Sequence, residues 1–217
     1  MDHLIGRAID IGYGHTKLSL SDGYQTGEID CLMFPSVAPR ATANALSAGF
    51  MEARNTVVID VSGTKYEVGP DAMLAMSTST SRVLDPTFAD SDAYIALVRG
   101  ALAYMNVPRI DYLVVGLPVS TYRAKAKALR KRLMGEHPVN GQIIEVRELE
   151  VVPQPIGGML EYGIRNNILV KMQGQTSLLI DPGYFTLDWV VTAGLKVNDA
   201  RSGAHEGGGM SGVLRVI

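Results

Sequence analysis

The chain has 217 residues, a formal charge of −2, 47% apolar and 19% charged residues, enough for a packed core and too apolar for a disordered chain. The near-neutral charge leaves no general footprint for nucleic acid, and one cysteine, Cys31, excludes an internal disulfide and points to a reducing cytoplasm. No apolar run reaches the length of a membrane span, and Met1-Asp2-His3-Leu4 lacks the basic start of a secretory leader.

Residues 4–11 and 16–21 read as a hairpin: alternating apolar residues, a break at Asp10-Ile11-Gly12-Tyr13-Gly14, then Thr16, Leu18 and Leu20 in register. A third strand is expected over 29–37. The Ala/Asn/Ser/Gly-rich stretch 38–56 reads as a loop, and 57–69 as a hairpin turning at Ser62-Gly63. Residues 70–88 are weakly patterned, so 36–88 as a whole reads as an inserted subdomain or elaborated loop.

Apolar spacing predicts a helix over 90–106 with Asp90 as its N-cap, then a buried strand over 111–118. A basic helix follows over 121–134, and a strand over 142–152. Pro153-Gln154-Pro155 is a break before a helix over 156–166. Residues 176–181 and 186–192 form a second hairpin around Asp181-Pro182-Gly183-Tyr184. An irregular strand over 193–201, a glycine-rich loop over 202–209 and a helix from Ser211 complete the chain. Hairpins alternating with helices make this an α/β protein with mixed sheets.

Each hairpin places a carboxylate at the end of a strand and glycine in the turn. That pattern brings backbone N–H groups close to a ligand and a carboxylate close to a metal. An ordinary turn uses the same residue types, so one hairpin alone leaves both readings open. Neither is a P-loop or a dinucleotide fingerprint, because the glycines lead into a strand rather than a helix.

Other features favour structural readings. In the basic helix, Arg123, Lys125, Lys127, Arg130, Lys131 and Arg132 fit a solvated face with Leu129 and Leu133 inward, and no aromatics interleave to suggest nucleic acid. The four histidines lack metal-ligand spacing. Trp189 alternates with Leu187 and Val191, as a core residue would.

The two hairpins together resemble the actin-like ATPase superfamily. Asp10, Gly12 and Lys17 match its first phosphate loop, D-x-G-x-x-x-x-K. Asp181, Gly183, Thr186 and Asp188 match its second, D-x-G-x-x-T-x-D. Gln154 stands where the family carries a water-positioning Gln or Glu, and Gly116-Leu117-Pro118-Val119 resembles a segment common in prokaryotic members. The plasmid-segregation (ParM/StbA) and archaeal actin-like branch is the one most resembled. Pro182, Tyr184 and Phe185 depart from the usual small residues of the second loop.

The resemblance implies an actin-like (ribonuclease H-like) α/β fold: mixed sheets flanked by helices, in two pseudo-symmetric halves with the second incomplete. Domain I would span 1–155, with 36–88 as its inserted small subdomain, and domain II would begin at 156–217. The chain reads as truncated at its C-terminal side. By the same resemblance, Asp10 and Asp181 would hold Mg²⁺, and Asp10, Asp181 and Gln154 would be catalytic. Gly12, Tyr13, Gly14, His15, Thr16, Lys17, Gly183, Tyr184, Thr186, Gly207, Gly208 and Gly209 would bind ATP.

The implied activity is cytoplasmic ATP hydrolysis coupled to filament assembly, serving plasmid or DNA segregation through a DNA-binding adaptor. No direct nucleic-acid or membrane partner is expected. A small-molecule kinase is the alternative within the superfamily, disfavoured because Gln154 is a poor base. A non-catalytic actin-like scaffold is the other.

Overall fold

The computed structural model describes residues 3–24, 26–42, 52–77 and 82–214. The middle of the predicted 38–56 loop, part of the 70–88 stretch and the last residues of the terminal helix lie outside them. The chain divides into two compact units. One comprises Met1–Val115 with Leu129–Glu150, the other Gly116–Ala128 with Val151–Ile217.

The first unit opens with strands β1 (Gly6–Ile11), β2 (His15–Ser19) and β3 (Cys31–Pro35). The hairpin β4 (Val57–Val61) and β5 (Thr64–Val68) follows. Its turn holds Ser62 and Gly63 at φ 53° and 83°, the left-handed pair that suits the twist of a two-residue hairpin. Helix α1 spans Asp92–Met105. Its cap is Ser91, not the expected Asp90: the Ser91 hydroxyl accepts from the Tyr94 amide at 3.1 Å, while Asp90 closes a short 3-10 turn before it. The helix ends at Asn106 in the left-handed region.

Strand β6 (Arg109–Leu117), helix α2 (Val119–Leu133), β7 (Gly135–Val139) and β8 (Gln142–Pro153) complete this stretch. The large sheet runs β3-β2-β1-β6-β8-β7. The sequence reading missed β7, because Gly135 and Pro138 interrupt its alternation. As an edge strand it tolerates a proline that donates nothing to the ladder. Helix α1 packs against β1, β2, β4 and β5, and Ile9, Ile11, Leu18, Phe34, Leu97, Leu102, Leu113 and Val115 are buried. Full burial of each such side chain is worth about 1.5–3 kcal/mol, and this layer sets the first hairpin on a rigid base.

The second unit contains α3 (Gln154–Arg165), α4 (Leu169–Met172), β9 (Thr176–Pro182), β10 (Thr186–Ala193), β11 (Lys196–Val197), β12 (Gly203–Glu206) and α5 (Met210–Val213). Central β10 pairs with β9 along one edge, and with β12 and β11 along the other. Helix α3 packs on β9 and β10, with Met159 and Val190 buried. It starts at Gln154 rather than after a proline break, because Pro155 falls in the first turn, where a missing N–H costs nothing.

Strand β12 lies inside the stretch read as a glycine-rich loop. Trp189 is half-buried: its ring covers Gly203, where an added Cβ would sit 2.7 Å from the ring, and its indole N–H donates to the Arg201 carbonyl at 3.0 Å. Among the described residues, no helix is long and apolar enough to cross a membrane.

Candidate functional site: two carboxylate-ended hairpin turns

The first hairpin pairs Ile9 with Leu18, Asp10 with Lys17 and Ile11 with Thr16. Its turn closes through the Gly12 amide, which donates to the His15 carbonyl at 3.1 Å, leaving Tyr13 and Gly14 at the corners. Asp10 and Lys17 stand directly across from each other and approach to 3.5 Å, with side chains 36% and 62% exposed.

Other parts of the first unit hold this turn. The Gly14 carbonyl accepts from the Ser36 amide at 3.0 Å and from the Arg82 guanidinium at 2.6 Å. Thr16 is fully buried and shares a hydrogen bond of 3.0 Å with the Ser36 hydroxyl. Tyr13 is buried against Phe88, and its hydroxyl donates to the Asp85 carbonyl at 3.2 Å.

The second hairpin repeats the frame. The Gly183 amide donates to the Thr186 carbonyl at 2.9 Å, with Tyr184 and Phe185 at the corners. Asp181 faces Asp188 across the strands, so a carboxylate stands where the first hairpin has a lysine. Asp188 is buried, and loss of hydration raises its pKa above the ordinary 3.8. Hydrogen bonds from Thr186 and Val119 oppose the rise, and the charge of Asp181 adds to it.

The start of α5 backs this second turn. The amides of Gly209, Met210 and Ser211 donate to the carbonyls of Phe185, Gly183 and Tyr184 at 3.0, 3.0 and 2.8 Å. Only glycine fits at 209, since an added Cβ would lie 2.6 Å from the Gly183 oxygen and 2.7 Å from the Tyr184 and Phe185 carbonyl carbons. Of the Gly207-Gly208-Gly209 run, Gly209 is thus brought against Gly183, Tyr184 and Phe185. Gln154 is the first residue of α3 in the same unit.

A planar trans peptide directs its N–H opposite to its C=O. Tying the Gly14 carbonyl from one side therefore turns the His15 N–H to the other. The same holds for the N–H groups that follow Gly183 and Tyr184. The first turn thus aims one amide away from its tied carbonyl and the second turn at least two, each beside a strand-terminal carboxylate. No cluster of three or more His, Cys, Asp or Glu suited to a metal occurs among the described residues.

Two elements of this architecture escaped the sequence reading, Arg82 and Ser36. Asp188 stands in that reading as the last residue of the D-x-G-x-x-T-x-D pattern, without a role of its own.

Residues 8–157 match the family model for the actin like proteins N terminal domain. No curated protein matches the chain by sequence. Among solved structures, the apo psk41 parM protein is similar at 18% identity and TM-score 0.69, covering 96% of this chain and 67% of its own. Ta0583, an archaeal actin homolog, is similar at 22% identity and TM-score 0.69, covering 94% of this chain and 62% of its own; its complex with ADP also matches, at TM-score 0.65. A ParM from a 15-stranded Clostridium botulinum filament is similar at 20% identity and TM-score 0.69, covering 96% of this chain and 66% of its own. The chain therefore spans about two thirds of the length of these structures, and at such identities the likeness is one of fold.

Proposed function

The chain belongs to the family of actin-like proteins, and from that premise we propose that the whole protein binds and hydrolyses Mg-ATP and assembles into filaments that segregate plasmid or other DNA through an adaptor. The observation that carries this reading is the recurrence, in both units, of one turn: strand-terminal carboxylate, glycine-closed corner, and a tip carbonyl tied so that the amide after it faces the other way. The filament and ADP-bound states of the similar structures support it.

Domain I of this proposal, residues 1–155 with 36–88 inserted, takes in the first unit with its β4–β5 insertion and also the Gly116–Ala128 stretch that groups with the second. Residues from 156 begin domain II. The amides around Tyr13, Gly14, His15 and Tyr184, with the Lys17 ammonium, meet phosphate oxygens, while Gly12 and Gly183 shape the turns. Gly209 holds the second turn from behind, and Gly207 and Gly208 lead into it.

Asp10 and Asp181 hold the hydrated cation. One or two carboxylates completed by water and phosphate are the donors Mg²⁺ ordinarily takes, which is why these two residues are proposed. Bound Mg²⁺ supplies charge neutralisation at the phosphates. Gln154, at the start of α3, orients the attacking water. It lacks the basicity to take a proton from a substrate hydroxyl, which argues against a kinase.

The test uses the whole protein: phosphate release and pelleting with Mg-ATP, for the wild type and for Asp10→Ala. We expect both to be lost in the variant. Hydrolysis and pelleting at wild-type levels by Asp10→Ala would reject the site. A scaffold reading has one observation in its favour, the inward-facing hydroxyls of Thr16 and Thr186. Calorimetry with Mg-ATP separates the two, because a scaffold shows no heat of binding.

A further inference from the structure

Asp188 is 3% exposed, the most enclosed carboxylate among the described residues. Its position is explained by α2. The first amides of a helix have no intrahelical acceptor, and a Ser, Thr, Asp or Asn just before the helix usually supplies one. In α2 that position is Pro118, which has no acceptor side chain, and the first turn contains no acidic residue.

The Pro118 carbonyl accepts from the Thr121 and Tyr122 amides at 3.1 and 3.0 Å, which leaves the Val119 amide to be met from elsewhere. Asp188, 69 residues further along, meets it: Oδ1 accepts from the Val119 amide at 2.8 Å. Its other oxygen, Oδ2, accepts from the Thr186 hydroxyl at 2.5 Å. One buried carboxylate thus spans two elements, and both ends lie within the second unit.

We infer that Asp188 is a positioning residue for nucleotide turnover, which fixes the Thr186 side chain of the second turn against the first amide of α2. This rests on the reading of that turn as a phosphate loop. A hydroxyl has one proton to donate and two lone pairs to offer. With its proton held by Asp188, Thr186 presents only acceptor capacity to a ligand. Buried and turned toward Asp188, this hydroxyl is not the group that donates to a phosphate oxygen. Direct contact with the phosphate falls to the turn amides.

The link is tested first in the full chain, without nucleotide, by amide hydrogen exchange in Asp188→Ala and Asp188→Asn. Loss of the acceptor in the alanine variant accelerates exchange at Val119 by about tenfold or more, the change expected when a bond worth about 1.4 kcal/mol is lost. The asparagine variant, which keeps an acceptor oxygen, falls between it and the wild type. Unchanged exchange at Val119 in Asp188→Ala overturns the inference.

The second measurement is Mg-ATP hydrolysis by the whole protein carrying Asp188→Asn, the variant that keeps the shape of the site. A positioning role lowers kcat about tenfold while KM moves less than about threefold. A merely structural role lowers Tm and leaves kcat per folded molecule unchanged, and that result also overturns the inference. A wild type that neither binds nor hydrolyses Mg-ATP overturns the proposed function instead, and hydrogen exchange at Val119 then decides whether Asp188 holds α2 to the turn.

Discussion

The two hairpin turns share a backbone and differ in almost everything around it. The first faces its strand-terminal Asp10 with Lys17 and ties its tip carbonyl with the Arg82 guanidinium and one amide. The second faces Asp181 with Asp188 and ties its carbonyls with three successive amides at a helix start. One turn is therefore dressed in cations and the other in a carboxylate pair. A strand-Asp-x-Gly pattern specifies where the chain turns, whereas the charge that a ligand meets is specified by residues across the hairpin and behind it. Those two levels of specification can be separated by mutation.

The largest expected effect is at the backing of the second turn. Gly209→Ala should cost about 3 kcal/mol, the upper end of overpacking penalties, because rigid backbone atoms of residues 183–185 occupy the space its methyl needs. In the first turn, Gly12→Ala meets only the His15 oxygen at 3.4 Å and should cost less than about 1 kcal/mol. Urea denaturation of both variants reads the difference. Equal losses would show that the turns are backed alike.

Next come the inward hydroxyls. Thr186→Val removes a hydrogen bond to a buried carboxylate and should cost about 2 kcal/mol, against about 1 kcal/mol for Thr16→Val, whose partner is the neutral Ser36 hydroxyl. The same denaturation measurement decides, and a larger loss for Thr16→Val would reverse the assignment of which turn depends on its threonine. Lys17→Ala should change stability by less than about 0.5 kcal/mol, since its pair with Asp10 is solvent-exposed. Any loss should vanish in high salt.

Acidification gives the smallest and least local contrast. In the first unit, Asp22 and Asp111 are held below the ordinary 3.8, chiefly by backbone N–H groups of Tyr24 and Ile5. Their stabilisation is complete above that value and is lost as the pH falls through each folded pKa. Asp188 is held above 3.8 by its burial, so its contribution has the opposite sign: it penalises the fold at neutral pH and relaxes as the pH falls. Amide exchange followed from pH 6 to about pH 3 should show protection falling earlier in β1 and β6 than in β9 and β10. Parallel loss in both sheets would refute the separation.

Much of this fold was legible because it is periodic. Alternation exposed both hairpins and the β4–β5 pair, and helical spacing exposed α1 and α2. Where local cues competed, the nearest one misled. Asp90 and Ser91 both suit a cap, but Asp90 is taken up in the 3-10 turn before the helix, and the serine caps the helix. Pro153 and Pro155 looked like a break, although proline is at home in the first turn of a helix. Strands β7 and β12 were hidden because Pro138 and the glycines around 207 erase their alternation.

The turns themselves could be read from Asp10, Gly12, Asp181 and Gly183. Their supports could not, because Arg82 lies 68 residues from the carbonyl it binds and Asp188 lies 69 from the amide it accepts. Such contacts exist only once the chain has folded, and no local spacing encodes them.

The chain has a single tryptophan, and it sits immediately after Asp188, with its indole N–H bonded to the Arg201 carbonyl and its ring over Gly203. Indole emission therefore comes entirely from the second unit, a few residues from its turn, while the first unit has only tyrosines and phenylalanines to absorb light. Selective excitation of Trp189 makes the carboxylate-lined turn optically visible and leaves the cation-lined turn dark. Within these 217 residues, a change in emission colour on adding a ligand is assigned to one hairpin without any label.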